Sequence, residues 1–358
     1  MGKTLVYKNA RIDGRLTDLE ITDGKFSAIG KSEREGIELG GQDVFAGLVD
    51  LHCHGAIGHD VCGDPTHLEE LAVHFASRGT TTWYPSVGGS LSDMYVMLNT
   101  ELSGMRGACM PGYHLEGPYL SPKKAGAMLP EQMKLPDPED FRGYDNVKLI
   151  TLAPELKGAL DFIRQTDARV ALGHTTADYE TAMTAIDAGA SSLTHTFNAM
   201  PPLHHRDVGV IGAAIERNLH VQAICDGHHL HPSIVLALYR IFGRDRMMLV
   251  SDAVSGSGLP DGEYRRKSGE MRIIRDGAIY TESGALAGSA NDLFADVRVA
   301  IGLGIPREDA FYMASACPAD YMGIPKGHIA VGYDADFLVV SPENELLTVV
   351  IGGEIFQK

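Results

Sequence analysis

The chain has 358 residues, of which 44% are hydrophobic, and it carries a formal net charge of -16 at pH 7 with histidine counted as neutral. This length exceeds that of the commonest single-core domain but suits a large barrel, and the apolar content is sufficient for a buried core. The acidic balance argues against nucleic acid or an anionic membrane as the main partner, and no apolar run reaches the roughly 18 residues of a membrane span.

The two ends of the chain predict short strands joined by tight turns. Residues 4–45 contain hairpin signals such as Asp13-Gly14, and the C-terminal segment has the same character. The strands are predicted at 5–7, 19–21, 26–28, 328–330, 335–340 and 347–351. We therefore predict one small β-sandwich domain built from both termini, residues 1–46 and 328–358.

The middle of the chain alternates apolar strand candidates with segments of helical period. The strand candidates lie near 47–54, 80–87, 111–116, 147–153, 169–174, 191–196, 219–225 and 246–252. Helices are predicted at 68–76, 177–188, 234–242, 290–303 and 306–316. Eight strands alternating with helices favour an α/β fold, a (β/α)8 TIM-like barrel over residues 47–327, rather than an open sheet.

Polar side chains collect where the predicted barrel strands end. His52 and His54 are two residues apart, so in a strand they project to the same side. Other strand ends carry Glu116, His174, His195 and Asp252. Because the carboxyl ends of barrel strands meet at one mouth, four histidines and two carboxylates there match a one-metal or two-metal hydrolytic site.

Several motifs resemble the amidohydrolase superfamily and, within it, the N-acetylglucosamine-6-phosphate deacetylase family. In chain order they are DLHCHG, HLEGPYLSPKKAGA, TLAPE, GHTTA, THTFNAMPPLHHRDVGVIG, DGHH, SDA, LAGS and GHIAVGYDADFLV. HLEGP and FNAMPPLHHR are specific to that family, whereas His-x-His and SDA are shared more widely. The resemblance implies hydrolysis of the N-acetyl group of an amino-sugar 6-phosphate, most simply N-acetylglucosamine 6-phosphate.

The resemblance also implies a set of metal ligands. Glu116 takes the place of the carboxylated lysine found in many two-metal relatives, and His174 and His195 complete one site with it. His52 and His54 can hold a second metal, so one or two divalent ions per subunit are expected. Zn²⁺ suits these ligands, while Fe²⁺, Mn²⁺ and Co²⁺ also fit.

Asp252 is the expected general base. A metal lowers the pKa of a bound water toward about 7, so a nearby carboxylate can take its proton and return it to the departing amine. The same carboxylate is also expected among the metal ligands.

The resemblance assigns the substrate groups to several loops. The backbone N–H groups of Asn198 and Ala199 are expected to meet the sugar phosphate, and His229 is expected to contact the substrate. Arg206 offers planar donors for phosphate oxygens. In relatives this arginine reaches into the neighbouring subunit, which implies a homodimer. The remaining substrate-facing residues are expected to be Ala127, Met128, Leu286, Ala287 and Gly288.

Met128 departs from the family pattern. Twelve residues after the glutamate of HLEGP, relatives commonly carry a histidine or glutamine that can donate a hydrogen bond to the acetyl carbonyl, and this chain has Met128 there. A thioether is only a weak acceptor. Either a second metal polarises the carbonyl instead, or the preferred acyl group or sugar differs.

The cysteines and the N-terminus predict a cytoplasmic protein. The five cysteines are an odd number without a C-x-x-C pair, which is typical of reduced thiols. The N-terminal segment lacks the layout of a signal peptide.

Three other functions remain open from the sequence. The first is deacetylation of the epimeric substrate, N-acetylgalactosamine 6-phosphate. A cyclic-amide hydrolase would need a metal-bridging lysine, which the strand ends do not offer. A silent sensor of sugar phosphates would be expected to lack a ligand or the base, yet Glu116, His174, His195 and Asp252 are all present.

Overall fold

The computed structural model describes residues 4–266 and 269–357, which fold into four sheets with surrounding helices. The strands are β1 (Thr4–Ile12), β2 (Arg15–Thr22), β3 (Lys25–Ile29), β4 (Ile37–Glu38), β5 (Asp43–Ala46), β6 (Leu48–Cys53), β7 (Gly55–Ala56), β8 (His59–Asp60), β9 (Thr80–Val87), β10 (Tyr113–Glu116), β11 (Val147–Leu152), β12 (Arg169–Leu172), β13 (Ser192–Leu193), β14 (His220–Ile224), β15 (Met247–Val250), β16 (Gly262–Arg265), β17 (Met271–Arg275), β18 (Ala278–Thr281), β19 (Leu286–Ser289), β20 (Phe337–Val340), β21 (Leu346–Ile351) and β22 (Glu354–Gln357).

The helices lie mainly between the strands of the middle segment. They are α1 (Leu68–Ser77), α2 (Leu91–Leu98), α3 (Ala159–Gln165), α4 (Tyr179–Ala188), α5 (Gly209–Arg217), α6 (Pro232–Phe242), α7 (Leu293–Gly302), α8 (Arg307–Met313) and α9 (Ala316–Met322), with 3-10 turns at Pro65–His67, Pro122–Lys124 and Pro130–Gln132. The five predicted helices are confirmed as α1, α4, α6, α7 and α8. None of the helices in the described ranges is both long and apolar enough to cross a bilayer.

The middle segment forms the predicted barrel. Its parallel strands are ordered β6-β9-β10-β11-β12-β13-β14-β15, so all eight strand predictions are confirmed. The first and last strands meet just beyond their carboxyl ends. There Cys53 bridges to Ala253 in parallel, and the Asp252 N–H donates to the His52 carbonyl at 2.9 Å. This seam brings the ends of β6 and β15 together at the barrel mouth.

Helix α9 covers the opposite end of the barrel. Tyr321 packs in one apolar cluster with Val49 and Leu51, and its hydroxyl lies 2.8 Å from the Ser192 hydroxyl. Val49 and Ser192 lie at the starts of β6 and β13, so α9 sits at the amino ends of the strands. A larger apolar cluster packs the barrel strands against the other helices. The carboxyl ends are therefore the open end, where barrels build their sites.

Strands from both termini share one sheet, ordered β22-β21-β20-β5-β1-β2-β3, with β4 beside β1. Tyr7 and Phe337 meet edge to face in its core, with ring centroids 5.0 Å apart. The predicted strand at 328–330 is wrong, because that segment bends instead of pairing, and the imidazole of His328 lies 2.8 Å from the carboxylate of Asp320. The division into 1–46 plus 328–358 and 47–327 stays a prediction, and residues 1–3 and 358 lie outside the described part of the chain.

A four-stranded antiparallel sheet, β16-β17-β18-β19, was not predicted from the sequence. Its central hairpin turns at Asp276-Gly277, both with positive φ, which is the Asp-Gly hairpin signal. The last strand returns to the barrel seam, where the Ser289 N–H donates to the Asp252 carbonyl at 2.9 Å. This sheet therefore places Leu286 through Gly288 over the barrel mouth.

Candidate active site

Glu116, the last residue of β10, lies at the centre of four imidazoles. Its Oε1 is 3.1 Å from His174 Nε2, 3.0 Å from His195 Nε2 and 3.4 Å from His52 Nε2, while its Oε2 is 3.1 Å from His54 Nε2. The Nε2 atoms of His52 and His54 are 3.1 Å apart, and those of His174 and His195 are 3.0 Å apart. Five of the six predicted ligands therefore converge on one point at the carboxyl ends of the strands.

Unusual backbone conformations point several of these side chains inward. His174, His195 and Asp252 each follow a barrel strand with positive φ, at 47°, 26° and 47°. Non-glycine residues rarely adopt such angles, and they concentrate at functional sites where the surroundings hold them in place. The sequence gives only a weak sign of this, since His and Asp are more frequent than other non-glycine residues at positive φ but adopt it rarely.

Hydrogen bonds orient two of the imidazoles. Nδ1 of His52 lies 3.2 Å from Oε1 of Gln222, and Nδ1 of His174 lies 2.7 Å from the Lys124 carbonyl oxygen. Both partners are acceptors, so the Nδ1–H of each ring donates, and Nε2 is the nitrogen that faces Glu116. Fixing the tautomer through the outer nitrogen is the usual arrangement for a metal-binding histidine.

The buried charges reinforce one another. Burial lowers the pKa of His52, but the carboxylates of Glu116 and Asp252 outweigh burial and raise that pKa to about 9. Burial raises the pKa of Glu116, yet His52 and His174 hold it well below its usual range. Burial lowers the pKa of His195. The centre is thus an anionic carboxylate that attracts positive charge, which a divalent cation can supply in place of protons.

The donor set fits a divalent transition metal in two overlapping groups. The groups are Glu116 with His174 and His195, and Glu116 with His52 and His54, and Glu116 belongs to both. Metal–nitrogen distances of about 2.0–2.1 Å place two ligands of one ion about 3.0–3.4 Å apart. The nitrogen–nitrogen and nitrogen–oxygen separations within each group lie between 3.0 and 3.4 Å.

Asp252 lies beside the second group. Its Oδ1 is 3.5 Å from the Nε2 atoms of both His52 and His54. Its side chain is 12% exposed, in contrast to the fully buried side chain of His52, and it lines the cavity above the centre. A carboxylate in this position can accept or donate a proton at a group bound between the ligands and the cavity.

A cavity of about 320 Å³ opens over the centre and collects most of the predicted site. The predicted residues that line it are His54, Glu116, Ala127, Met128, His174, His195, Asn198, Ala199, His229, Asp252, Leu286, Ala287 and Gly288. His52 lies behind this lining, fully buried. Arg206 does not line the cavity; it is exposed, with its guanidinium 2.6 Å from the His205 ring.

An ion pair holds His229 in the cavity wall. Its Nδ1 lies 2.7 Å from Oδ2 of Asp226. Burial raises the pKa of Asp226, but the hydrogen bond from His229 outweighs burial and lowers that pKa to about 2. Burial lowers the pKa of His229, and Asp226 overcomes this and raises it. The positioning role of Asp226 was missed from the sequence, although the i, i+3 spacing in DGHH was a usable signal.

Asn198 already donates hydrogen bonds within the chain. The Asn198 N–H donates to the His195 carbonyl at 2.9 Å, and its side-chain amide donates to the same oxygen at 3.1 Å. Ala199 has a positive φ of 50° and also lines the cavity. Of the two predicted phosphate donors, the Asn198 N–H is therefore already engaged within the chain.

One wall of the cavity was not predicted at all. Arg266 and Arg272, from the β16–β17 hairpin, line it together with Asp60 and Glu270. Arg266 Nε lies 3.0 Å from Asp60, and Arg272 lies 3.2 Å from Glu270. The Arg266–Asp60 pair joins a barrel loop to the hairpin, whereas the Arg272–Glu270 pair lies within the hairpin. The thiol of Cys62 lies in the same wall, and burial raises its pKa to about 11.

Comparisons with known proteins agree with this arrangement. The model of the "Amidohydrolase family" matches residues 44–356. An N-acetylglucosamine-6-phosphate deacetylase of Vibrio furnissii is 36% identical over 93% of this chain and 88% of its own length. An N-acetylgalactosamine-6-phosphate deacetylase of Escherichia coli O157:H7 is 35% identical over 87% of each chain. The crystal structure of N-acetylglucosamine-6-phosphate deacetylase from Pasteurella multocida superposes with a TM-score of 0.91 at 28% identity, covering 99% of both chains.

Proposed function

This chain belongs to the amidohydrolase family, and from that premise we propose that it hydrolyses the N-acetyl group of N-acetylglucosamine 6-phosphate to give glucosamine 6-phosphate and acetate. The observation that carries the proposal is Glu116 within 3.0–3.4 Å of four imidazole nitrogens beneath a cavity. A linear acetamide needs a Lewis acid, an activated water and a proton shuttle. This site offers residues for each of them.

In this proposal Glu116, His174 and His195 hold the essential divalent metal, and His52 and His54 hold a second one beside it. Zn²⁺ is our choice because it suits mixed imidazole and carboxylate ligands. When bound, such a metal polarises the acetamide carbonyl and lowers the pKa of a water to near neutrality. Supporting observations are the two overlapping donor groups and the Nδ1 hydrogen bonds that aim Nε2 of His52 and His174 inward.

Asp252 moves the proton. Its carboxylate accepts a proton from the attacking water and delivers it to the sugar nitrogen as the carbon–nitrogen bond breaks. The position of Oδ1, 3.5 Å from the Nε2 atoms of His52 and His54, and its place in the cavity wall support this role.

The sugar phosphate extends from the metal toward the loops on the far side of the cavity. His229, carried by Asp226, contacts the sugar, and the backbone of Ala199 together with Asn198 approaches the phosphate. Ala127, Leu286, Ala287 and Gly288 shape the remaining wall. These assignments are supported by the lining of the cavity.

Arg206 completes the phosphate site of a neighbouring subunit in a homodimer. Arg206 is exposed, and it is not one of the described residues that line the cavity of its own subunit. Both observations support a role across an interface. We also propose that the protein works in the cytoplasm, and that residues 1–46 with 328–358 form one domain and 47–327 the catalytic one.

A second substrate, N-acetylgalactosamine 6-phosphate, is supported by one comparison, because a relative at 35% identity is named for the galactosamine epimer. The two sugars differ only in the orientation of one hydroxyl group, which the same centre can tolerate.

The test is acetate release from both epimers by metal-replete protein. We expect turnover of N-acetylglucosamine 6-phosphate that falls by about 10²–10⁴ in Asp252→Asn, because a positioned proton shuttle contributes about that factor. Greater turnover of the galactosamine epimer would select the second substrate. No acetate from either sugar, with wild type and Asp252→Asn indistinguishable, would refute the deacetylase assignment.

A further inference from the structure

A separate group of metal-ligating side chains lies outside the active-site cavity. His59, His67 and Glu70 each offer one ligand atom, and these atoms all lie within 4.8 Å of one another. Oε2 of Glu70 is 3.5 Å from Nε2 of His59 and 3.2 Å from Nδ1 of His67. None of the three is among the described residues that line the cavity, and none belongs to the Glu116 groups.

The fold holds these side chains together without a ligand. His59 comes from the β7–β8 hairpin, whereas His67 ends the 3-10 turn that leads into α1 and Glu70 lies in the first turn of α1, three residues further on. The two imidazoles stack with ring centroids 3.7 Å apart and an interplanar angle of 18°. Asp64 accepts from the Thr66 N–H at 3.1 Å and fixes the turn between hairpin and helix. The three groups are therefore positioned by two separate elements.

We propose that His59, His67 and Glu70 form an external binding site for a divalent transition metal such as Zn²⁺ or Ni²⁺, distinct from the catalytic centre. Two imidazoles and one carboxylate are a common ligand set for these ions, with open positions left for water. A single carboxylate oxygen faces both rings, and rotation of the two imidazoles out of their stacked arrangement lets both nitrogen lone pairs point at one ion. An ordinary surface ion pair needs only one imidazole and contributes little.

The external site is connected to the cavity through the hairpin. Successive strand residues point to opposite faces, so His59 faces outward while Asp60 faces the cavity wall. There Asp60 contacts Arg266 at 3.0 Å. An ion held by His59 and the start of α1 fixes the hairpin that carries Asp60. Occupancy therefore stabilises one wall of the cavity without touching the reacting groups.

The test counts metal ions on the holoenzyme, with its buried centre already filled. Equilibrium dialysis against rising Ni²⁺ is expected to give one more bound ion per subunit for wild type than for His67→Ala. Glu70→Gln keeps the side-chain shape and should weaken that additional binding by about tenfold or more, since even indirect partners of a ligand contribute ~10–100-fold. Binding should also raise the melting temperature of wild type and leave that of His67→Ala unchanged.

The matched control is His328→Ala, which removes a surface imidazole paired with one carboxylate, Asp320, at 2.8 Å. This variant should bind the same number of ions as wild type. Deacetylase activity and circular dichroism report whether each variant is folded. Equal stoichiometry and affinity for wild type, His67→Ala and Glu70→Gln would overturn the proposal, as would equal losses in His328→Ala and His67→Ala.

Discussion

Substituting Gly126 by alanine should impair the metal centre through His174. Gly126 has φ +63°, and a Cβ built there lies 3.1 Å from Cε1 of His174, closer than an ordinary contact. The imidazole must therefore move by a few tenths of an ångström. The Nδ1 of His174 is held by the Lys124 carbonyl at 2.7 Å, so the ring cannot move freely. The shift therefore changes the position of Nε2, which lies 3.1 Å from Oε1 of Glu116.

The matched control is Gly143→Ala. Gly143 has φ +82° but nothing within 4 Å of the added Cβ, so it isolates the backbone cost of a left-handed alanine. Both variants should lose about 1–2 kcal/mol of unfolding free energy. Only Gly126→Ala should also lose about 10–100-fold in metal affinity or kcat/KM, the usual effect of disturbing a ligand's orientation.

The measurements are chemical denaturation, metal content after dialysis, and acetate release. If Gly126→Ala and Gly143→Ala retain the same metal affinity and the same activity, His174 is not held as a ligand by this loop, and the reasoning fails.

Three further predictions concern the substrate side of the site. Asp226→Asn should lower kcat/KM by about 10–100-fold, because His229 loses a charged partner. Folding lowers the pKa of Asp226 from 3.8 to about 2, so the ionised carboxylate stabilises the wild-type fold above about pH 4, and this contribution is lost as the pH falls toward 2. Acid unfolding of the variant should not show that loss. Met128→His should raise kcat by up to about 10²-fold by restoring a donor toward the carbonyl, and an unchanged kcat would mean that no donor is missing. Mixing the inactive variants Arg206→Ala and Asp252→Asn should recover about a quarter of wild-type activity if Arg206 serves the partner's site. Half of the dimers are then mixed, and each mixed dimer has one complete site out of two. No recovery would place Arg206 outside the neighbouring site.

Much of the site could be predicted because the carboxyl ends of barrel strands lie together even when the strands are far apart in the sequence. His52, Glu116 and His195 are far apart in the chain, but each stands at a strand end, and parallel strands closed into a barrel must bring those ends together. Their convergence around one carboxylate follows from topology alone. The eight strands were recognisable because each is a buried apolar run.

The parts that could not be predicted depend on long-range pairing that leaves no local pattern. Arg266 reaches the cavity only because Ser289 pairs with the seam and folds the β16–β19 sheet back over the mouth. The Lys124 carbonyl that orients His174 is a backbone group, which no side-chain motif reveals. The prediction of a strand at 328–330 was wrong because no strand pairs with this segment.

The most direct test of the account is the substitution Glu116→Gln, which keeps the size of the side chain and removes the charge shared by four imidazoles. We measure bound metal by elemental analysis and acetate release from N-acetylglucosamine 6-phosphate on the same samples. The account predicts at least one bound divalent ion and turnover in wild type, and loss of both in Glu116→Gln. Retention of metal and full activity by the variant would contradict it.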